Sequence, residues 1–166
     1  YTLSSSDVSL CVMPLFHVHG LVASTLATLS TGGTVVVPTK FSPLSFWQIA
    51  KEHGATWYSA VPTIHQLLLA RVKKDAPRPA GADKLRFIRS CSAALPSQVM
   101  HDLEAAFGAP VLQAYGMTEA AHQMASNPLP PAARVPGSVG RGTDVQISIM
   151  DAEGKHLPTG AAGEVV

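Results

Sequence analysis

The chain has 166 residues, enough to bury one core, and 46% of them are apolar against 14% charged, which excludes a disordered or low-complexity segment. A formal net charge of +1 leaves no electrostatic footprint for nucleic acid, and no run of roughly 18 apolar residues offers a membrane span. Two cysteines, Cys11 and Cys91, have no metal spacing; both fall in strand-like runs, which predicts buried, reduced thiols.

Residues 9–13 form a short apolar run closing on Pro14, a strand, and Phe16-His17-Val18-His19-Gly20 follow as a loop. Residues 21–30 are apolar or small all round, which predicts a buried helix stopped by Gly32 and Gly33. A β-branched run at 34–37 ending on Pro38 is a second strand. Residues 45–53 are helix-like with Gly54 as cap, and 56–61 make a third strand. Pro62, at a first-turn position, opens a helix to about Lys73, with Ile64, Leu67, Leu68 and Val72 at helical spacing. Residues 75–83, with Pro77, Pro79 and Gly81, read as a surface loop, and 85–90 as a fourth strand. Residues 96–107 predict a helix with Val99, Leu103 and Phe107 on one face, closed by Gly108, and 111–114 a fifth strand. This alternation argues for an α/β fold, a parallel sheet with helices on both faces.

The pattern then changes. Residues 127–137 are a Pro-rich loop, 145–150 alternate, and Asp151-Ala152-Glu153-Gly154 looks like a hairpin turn. A division is therefore expected between an α/β part, 1–135, and the beginning of a β unit at 136–166. The chain opens on Tyr1 and closes in a strand-like Gly-Glu-Val-Val, so it is expected to be an internal piece of a longer polypeptide.

The chemistry centres on residues 111–119, Val-Leu-Gln-Ala-Tyr-Gly-Met-Thr-Glu. Gly116 permits a sharp turn at the carboxyl end of a strand, where open α/β sheets bind ligands. Thr118 can donate to a phosphate oxygen, Glu119 can help hold Mg²⁺, and Tyr115 can stack on a base. Taken alone, a Tyr-Gly turn is also an ordinary strand ending.

Four stretches stand in order: Met13-Pro14-Leu15-Phe16-His17-Val18-His19-Gly20; Arg89-Ser90-Cys91-Ser92-Ala93-Ala94-Leu95; Tyr115-Gly116-Met117-Thr118-Glu119; and Pro136-Gly137-Ser138-Val139-Gly140. Together they resemble the adenylate-forming superfamily, the acyl-CoA synthetases, over the whole chain. The run from Met117 through His122 to Pro130 is most similar to the oxalate–CoA ligase branch, and Phe-His-Val-His-Gly to both oxalate– and malonyl-CoA synthetases. The resemblance implies a carboxylate attacking the α-phosphate of ATP, then coenzyme A displacing AMP. It places the nucleotide on Ser92, Ala93, Ala94, Ala114, Tyr115, Gly116, Met117 and Thr118, and Mg²⁺ on Glu119. It puts a small carboxylic acid near His17, His19, Ser92 and His122, with Thr118, Glu119 and His17 as the catalytic set. It makes 1–135 the adenine- and acyl-site half and 136–166 the start of a β-barrel-like subdomain. The family's phosphate loop would precede Tyr1, and its ribose aspartate and adenylation lysine would follow Val166. The partner is then the remainder of the same polypeptide, with no nucleic acid and no membrane, in the cytoplasm, or in the peroxisome of a eukaryote.

Oxalate has no apolar part, so its pocket needs hydrogen-bond donors. The only Lys or Arg between Lys84 and Arg134 are Arg86 and Arg89, both in the strand before Ser92, which leaves His122, His17 and Ser92 as the available partners. His122, three residues after Glu119, would share a helical face with it. His53, His65, His101 and His156 read as surface residues, and Cys91 lacks a nucleophile elbow. The competing readings are a malonate, medium-chain or aryl acid–CoA ligase, and, from another class, a flavodoxin-like binding module without catalysis.

Overall fold

A computed structural model describes residues 1–73 and 76–166. Seven strands make one sheet in the order β2-β1-β3-β4-β5-β6-β7. The first five, β1 (Val8–Cys11), β2 (Thr34–Val36), β3 (Trp57–Ala60), β4 (Phe87–Ser90) and β5 (Val111–Met117), run parallel. β6 (His122–Ser126) and β7 (Arg141–Gly142) are antiparallel, and β8 (Ile149–Met150) pairs with β9 (Glu164–Val165) in a separate ribbon. Among the described residues no helix is long and apolar enough to cross a membrane.

The helices fall between the parallel strands as the alternation predicts. The first, α1, is π-wound over His19–Leu26 and α-helical over Ala27–Leu29. It is followed by α2 (Phe46–His53), α3 (Pro62–Leu69) and α4 (Ser97–Phe107). Gly54 and Gly108 close α2 and α4 in the left-handed conformation. Every residue of β3 and β4 is buried, so both strands need side chains that pack on two faces. Strand alternation sends Leu10, Tyr58, Ile88 and Val111 into one cluster with Phe46, Leu68, Leu103 and Phe107 from α2, α3 and α4. Trp57, Phe87 and Leu112 pack on the opposite face. By the same alternation Ser59 and Arg89, which are register partners, lie on that second face. There α1 covers them, through His19 against Ser59.

Five departures from the expectations above have physical causes. The helix predicted over 21–30 starts at His19, which brings that histidine into it. Gly20 makes this fit, because a Cβ there would stand 2.3 Å from the Pro14 carbonyl oxygen. The helix opened by Pro62 ends at Leu69, with Ala70 as its cap, short of Lys73. Its buried stripe is Pro62, His65 and Leu68, so His65 is fully buried and is not a surface residue, while Leu67 is 45% exposed. The run 75–83 is not wholly superficial: Gly81 and Ala82 are buried, and a Cβ on Gly81 would stand 2.7 Å from the backbone nitrogen of Lys51 in α2. The first residue of that run, Asp75, lies outside the described residues, as does Lys74 before it. Finally, residues 122–126 form a strand, where sequence spacing put His122 on a helical turn. The pairing of β5 with β6 slips between Tyr115 and Gly116, and such a bulge breaks the alternation by which a strand is recognised. Both cysteines are buried and unpaired, as expected.

Candidate functional site

Three loops meet at the carboxyl edge of the parallel sheet, after β1, β4 and β5. The loop after β4 carries Ser92, Ala93 and Ala94, all exposed. Ser92 holds φ = +70°, a left-handed conformation that a serine seldom takes. Beyond β5 the chain enters a short 3₁₀ turn, Thr118–Ala120, in which Thr118 and Glu119 are exposed. Tyr115, Gly116 and Met117 are half-buried at the end of β5, and Ala114 is buried within it, opposite Ser126. Ala121 (φ = +50°) and His122 (φ = +94°) then reverse the chain into β6. Gly116 is fixed by this reversal, since a Cβ there would sit 1.5 Å from the His122 carbonyl oxygen. Glu119 and His122 therefore share no helical face: the carboxylate is at the mouth and the imidazole is inside, 2% exposed.

His122, His19 and Ser92 do come together. The His19 and His122 rings stand 5.0 Å apart between centroids. His19 Nδ1 is 3.1 Å from Ser92 Oγ, and its Nε2 is 2.7 Å from Ser59 Oγ. His17 is exposed on the loop above, and its Nδ1 accepts a 3.1 Å bond from the backbone N–H of His19. His53, His101 and His156 are exposed, as expected.

The residue that sequence reasoning set aside is Arg89. It is completely buried, and its guanidinium binds the site from behind. Nη1 donates to Ser59 Oγ at 3.0 Å and Nη2 to His122 Nδ1 at 3.3 Å. Nε donates to Tyr1 Oη at 3.0 Å and to Gln123 Oε1 at 3.1 Å. All four acceptors are neutral. The only ion pairs among the described residues are Arg86–Asp7 and Arg134–Glu104, so Arg89 has no carboxylate partner. A buried cation without a counter-charge is costly and marks a place where an anion is welcome. The available signal was a charged residue inside an apolar strand, Phe-Ile-Arg-Ser. Ser59, hidden in a fully buried strand, gave none.

Burial and this cation keep the imidazoles neutral. His19 is pushed down to about 2, first by burial and then by the charge of Arg89. His122 is pushed down to about 4 for the same two reasons in the same order. His65, packed under the Tyr58 hydroxyl at 3.3 Å, is also held at about 4 by burial. The back of the site is thus a wall of neutral hydrogen-bonding groups with one fixed positive charge behind it.

The mouth has a different character. Glu119 makes no ion pair among the described residues and stands next to the Thr118 hydroxyl. A single exposed carboxylate suits Mg²⁺, which typically takes one or two protein carboxylates and completes its shell with phosphate oxygens and water. A cavity of about 810 Å³ lies elsewhere, against Tyr1, Gln123, Asn127, Leu129 and Arg141, and includes none of Ser92, Thr118, Glu119 or His122. Concavity alone would point there; convergent polar groups at the strand ends point to this edge instead.

Comparison with known proteins gives one consistent result. The model of the family described as AMP-binding enzyme matches residues 1–166. A probable CoA ligase, CCL9, of Humulus lupulus is 51% identical over 99% of this chain and 32% of its own length. The oxalate–CoA ligase of Saccharomyces cerevisiae is 48% identical over 99% of this chain and 30% of its own. The crystal structure of apo MatB from Rhodopseudomonas palustris superposes with a TM-score of 0.86 at 31% identity, over 98% of this chain and 31% of that one. The chain spans about a third of the length of the relatives it matches.

Proposed function

The chain belongs to the AMP-binding enzyme family, and on that footing we propose that it is the adenine- and acid-binding part of an AMP-forming acid–CoA ligase for oxalate or a similarly small dianion. The observation that carries the substrate class is the wall of Ser92, His19 and His122 in front of the buried, acid-free Arg89. An apolar acid would gain nothing from such a wall and would strand its donors. A flavodoxin-like binding module shares the 2-1-3-4-5 strand order, but the antiparallel β6 and β7 and the family match weigh against it.

In this reading ATP lies along the carboxyl edge, its adenine against the Ser92–Ala94 backbone and under Tyr115, with Ala114, Gly116 and Met117 as the strand end that shapes its bed. Thr118 donates to the α-phosphate. Glu119 would hold Mg²⁺, which supplies charge neutralisation on the phosphate oxygens when bound. The acid's reacting carboxylate faces that phosphate beside His17, and its far end meets Ser92 and His122, with His19 behind them. Catalysis is then positioning and charge stabilisation: the carboxylate displaces pyrophosphate, and coenzyme A later displaces AMP. Residues 1–135 supply this half-site, and the separate β8–β9 ribbon supports reading 136–166 as the start of a β subdomain, although β7 still joins the main sheet.

The test is the full-length ligase with ATP, CoA and a panel of oxalate, malonate, sulfoacetate, benzoate and octanoate. Oxalate is expected to give the highest kcat/KM. A higher value for benzoate or octanoate overturns the polar-pocket reading.

A further inference from the structure

We infer that buried Arg89 is a positioning residue that orders two hydrogen-bond chains outward, so that the acid pocket presents only donors to the far end of its substrate. The inference rests on the acid-pocket reading above for its consequence, but not for its geometry.

The first chain is one step long. A guanidinium can only donate, so His122 Nδ1 must accept from Arg89 Nη2. In a neutral ring the proton then belongs on Nε2. That N–H has no hydrogen-bond partner among the described residues, although His122 is only 2% exposed. The nitrogen itself is not sealed, since the fully enclosed unpaired side-chain polar atoms among the described residues are Ser9 Oγ, Trp57 Nε1, His65 Nε2 and Ser90 Oγ, so this N–H opens on the site and is free to meet an acceptor there.

The second chain is longer. Ser59 Oγ accepts from Arg89 Nη1, which leaves its single hydrogen for His19 Nε2 at 2.7 Å. His19 Nε2 thereby becomes an acceptor, so the ring proton is on Nδ1 and is donated to Ser92 Oγ at 3.1 Å. Ser92, having accepted, keeps its own hydrogen to give away. The reverse order would make Ser59 Oγ accept twice and leave its hydroxyl hydrogen without an acceptor in a fully buried place. The depressed basicity of both rings agrees with this order, since a second ring proton would oppose Arg89 or the Ser59 hydroxyl.

Both chains end in donors, Ser92 O–H and His122 Nε2–H, and both begin at one cation. Such a pocket favours an acceptor-only group, a carboxylate, and disfavours a carboxamide of the same shape. The charge is delivered through one bond and through three, so the substrate is attracted without forming a direct ion pair. The left-handed backbone at Ser92 and His122 is consistent with groups held where packing alone would not put them.

The test uses full-length ligase labelled with ¹⁵N-histidine, in which long-range ¹H–¹⁵N correlation reads each ring's tautomer without any substrate. His122 is expected as Nε2–H and His19 as Nδ1–H; either ring in the other form overturns the inference. Arg89→Met should release the His122 tautomer, raise KM for oxalate about 10-fold or more with kcat changed far less, and narrow the preference for oxalate over oxamate. Arg89→Lys, which keeps the charge and only donates but lacks the planar fork that reaches Ser59 and His122 together, should restore part of the loss. Ser59→Ala, which severs only the longer chain, should release His19 and leave His122 as Nε2–H, and it decides the matter if Arg89→Met does not fold. An unchanged oxalate-to-oxamate ratio in Arg89→Met overturns the inference. If wild-type tautomers are as assigned but oxalate is not turned over, the donor order stands and the substrate reading fails.

Discussion

Acidification should unfasten this sheet well above the carboxylate range, and the structure sets the size of the effect. His19, His65 and His122 are held at about 2, about 4 and about 4, against roughly 6.5 for a free imidazole. In the unfolded chain each takes a proton as pH falls through about 6.5, while the folded chain refuses it. The unfolded state therefore binds more protons in this window, so stability rises with pH there and is lost as pH falls. The loss runs from about 6.5 to about 4 for His65 and His122 and continues to about 2 for His19. Between pH 7.5 and 5.0 each histidine costs ~2 kcal/mol, ~6 kcal/mol for the three, or about four decades in the opening equilibrium. That is a large part of the 5–15 kcal/mol typical of a domain, about the range in which single domains survive. Native-state hydrogen exchange of β3 and β4 peptides in the full-length enzyme reads it locally, after correction for the intrinsic pH dependence of exchange. Protection of Trp57–Ala60 and Phe87–Ser90 should collapse between these two pH values. His65→Gln, which leaves the His19 and His122 rings in place, should remove about a third of the slope. Protection that stays constant from 7.5 to 5.0 refutes the claim that the three rings are buried neutral.

His122→Ala in the full-length ligase should raise KM for oxalate roughly 10- to 150-fold, the worth of a hydrogen bond to a charged group, and affect an acid with an apolar tail much less; equal losses would make His122 structural. Glu119→Gln should lower kcat for adenylation on the order of 10² or more, seen in pyrophosphate release, and a value within about twofold of wild type would remove Glu119 from the metal site. Gly116→Ala puts a Cβ 1.5 Å from the backbone oxygen of His122, so it should cost more than about 3 kcal/mol in urea unfolding or open the bulge and abolish activity; a stable, active variant would contradict the β5–β6 geometry.

The parallel half of the fold was legible because its strands are short apolar runs, most of them beside Pro or Gly, and because glycines follow α1, α2 and α4; α3, which ends on Ala70 with no such signal, was drawn too long. Legibility ended where the chain stops alternating. Residues 122–126 pair with β5 across a bulge, and the left-handed Ala121 and His122 that permit it are non-glycine residues, so no turn signal marks them. His65 was misplaced because α3 is apolar on more than one stripe, and the stripe that faces the core is chosen by Tyr58 and the neighbouring helices. Ser92, His19 and His122 could be named because motif order places them. What they would do together could not, because it depends on a residue three positions upstream of Ser92.

That dependence explains why histidine, rather than a second lysine or arginine, would suit the front of such a pocket. A direct ion pair with a small dianion would hold product as firmly as substrate and would leave an exposed cation beside ATP when the site is empty. Neutral imidazole and hydroxyl donors avoid both, provided that something fixes which way their hydrogens face. In solvent nothing would, since His122 and His19 would exchange tautomers and Ser92 would rotate freely. Arg89 can supply the direction because it is buried, always protonated and unable to accept. Its cost in desolvation is offset by four neutral acceptors from β3, β6 and Tyr1. The strand pairing that aligns Ser59 with Arg89, and the bulge that swings His122 inward, thus turn the parallel sheet's edge into a surface with a defined hydrogen-bond polarity.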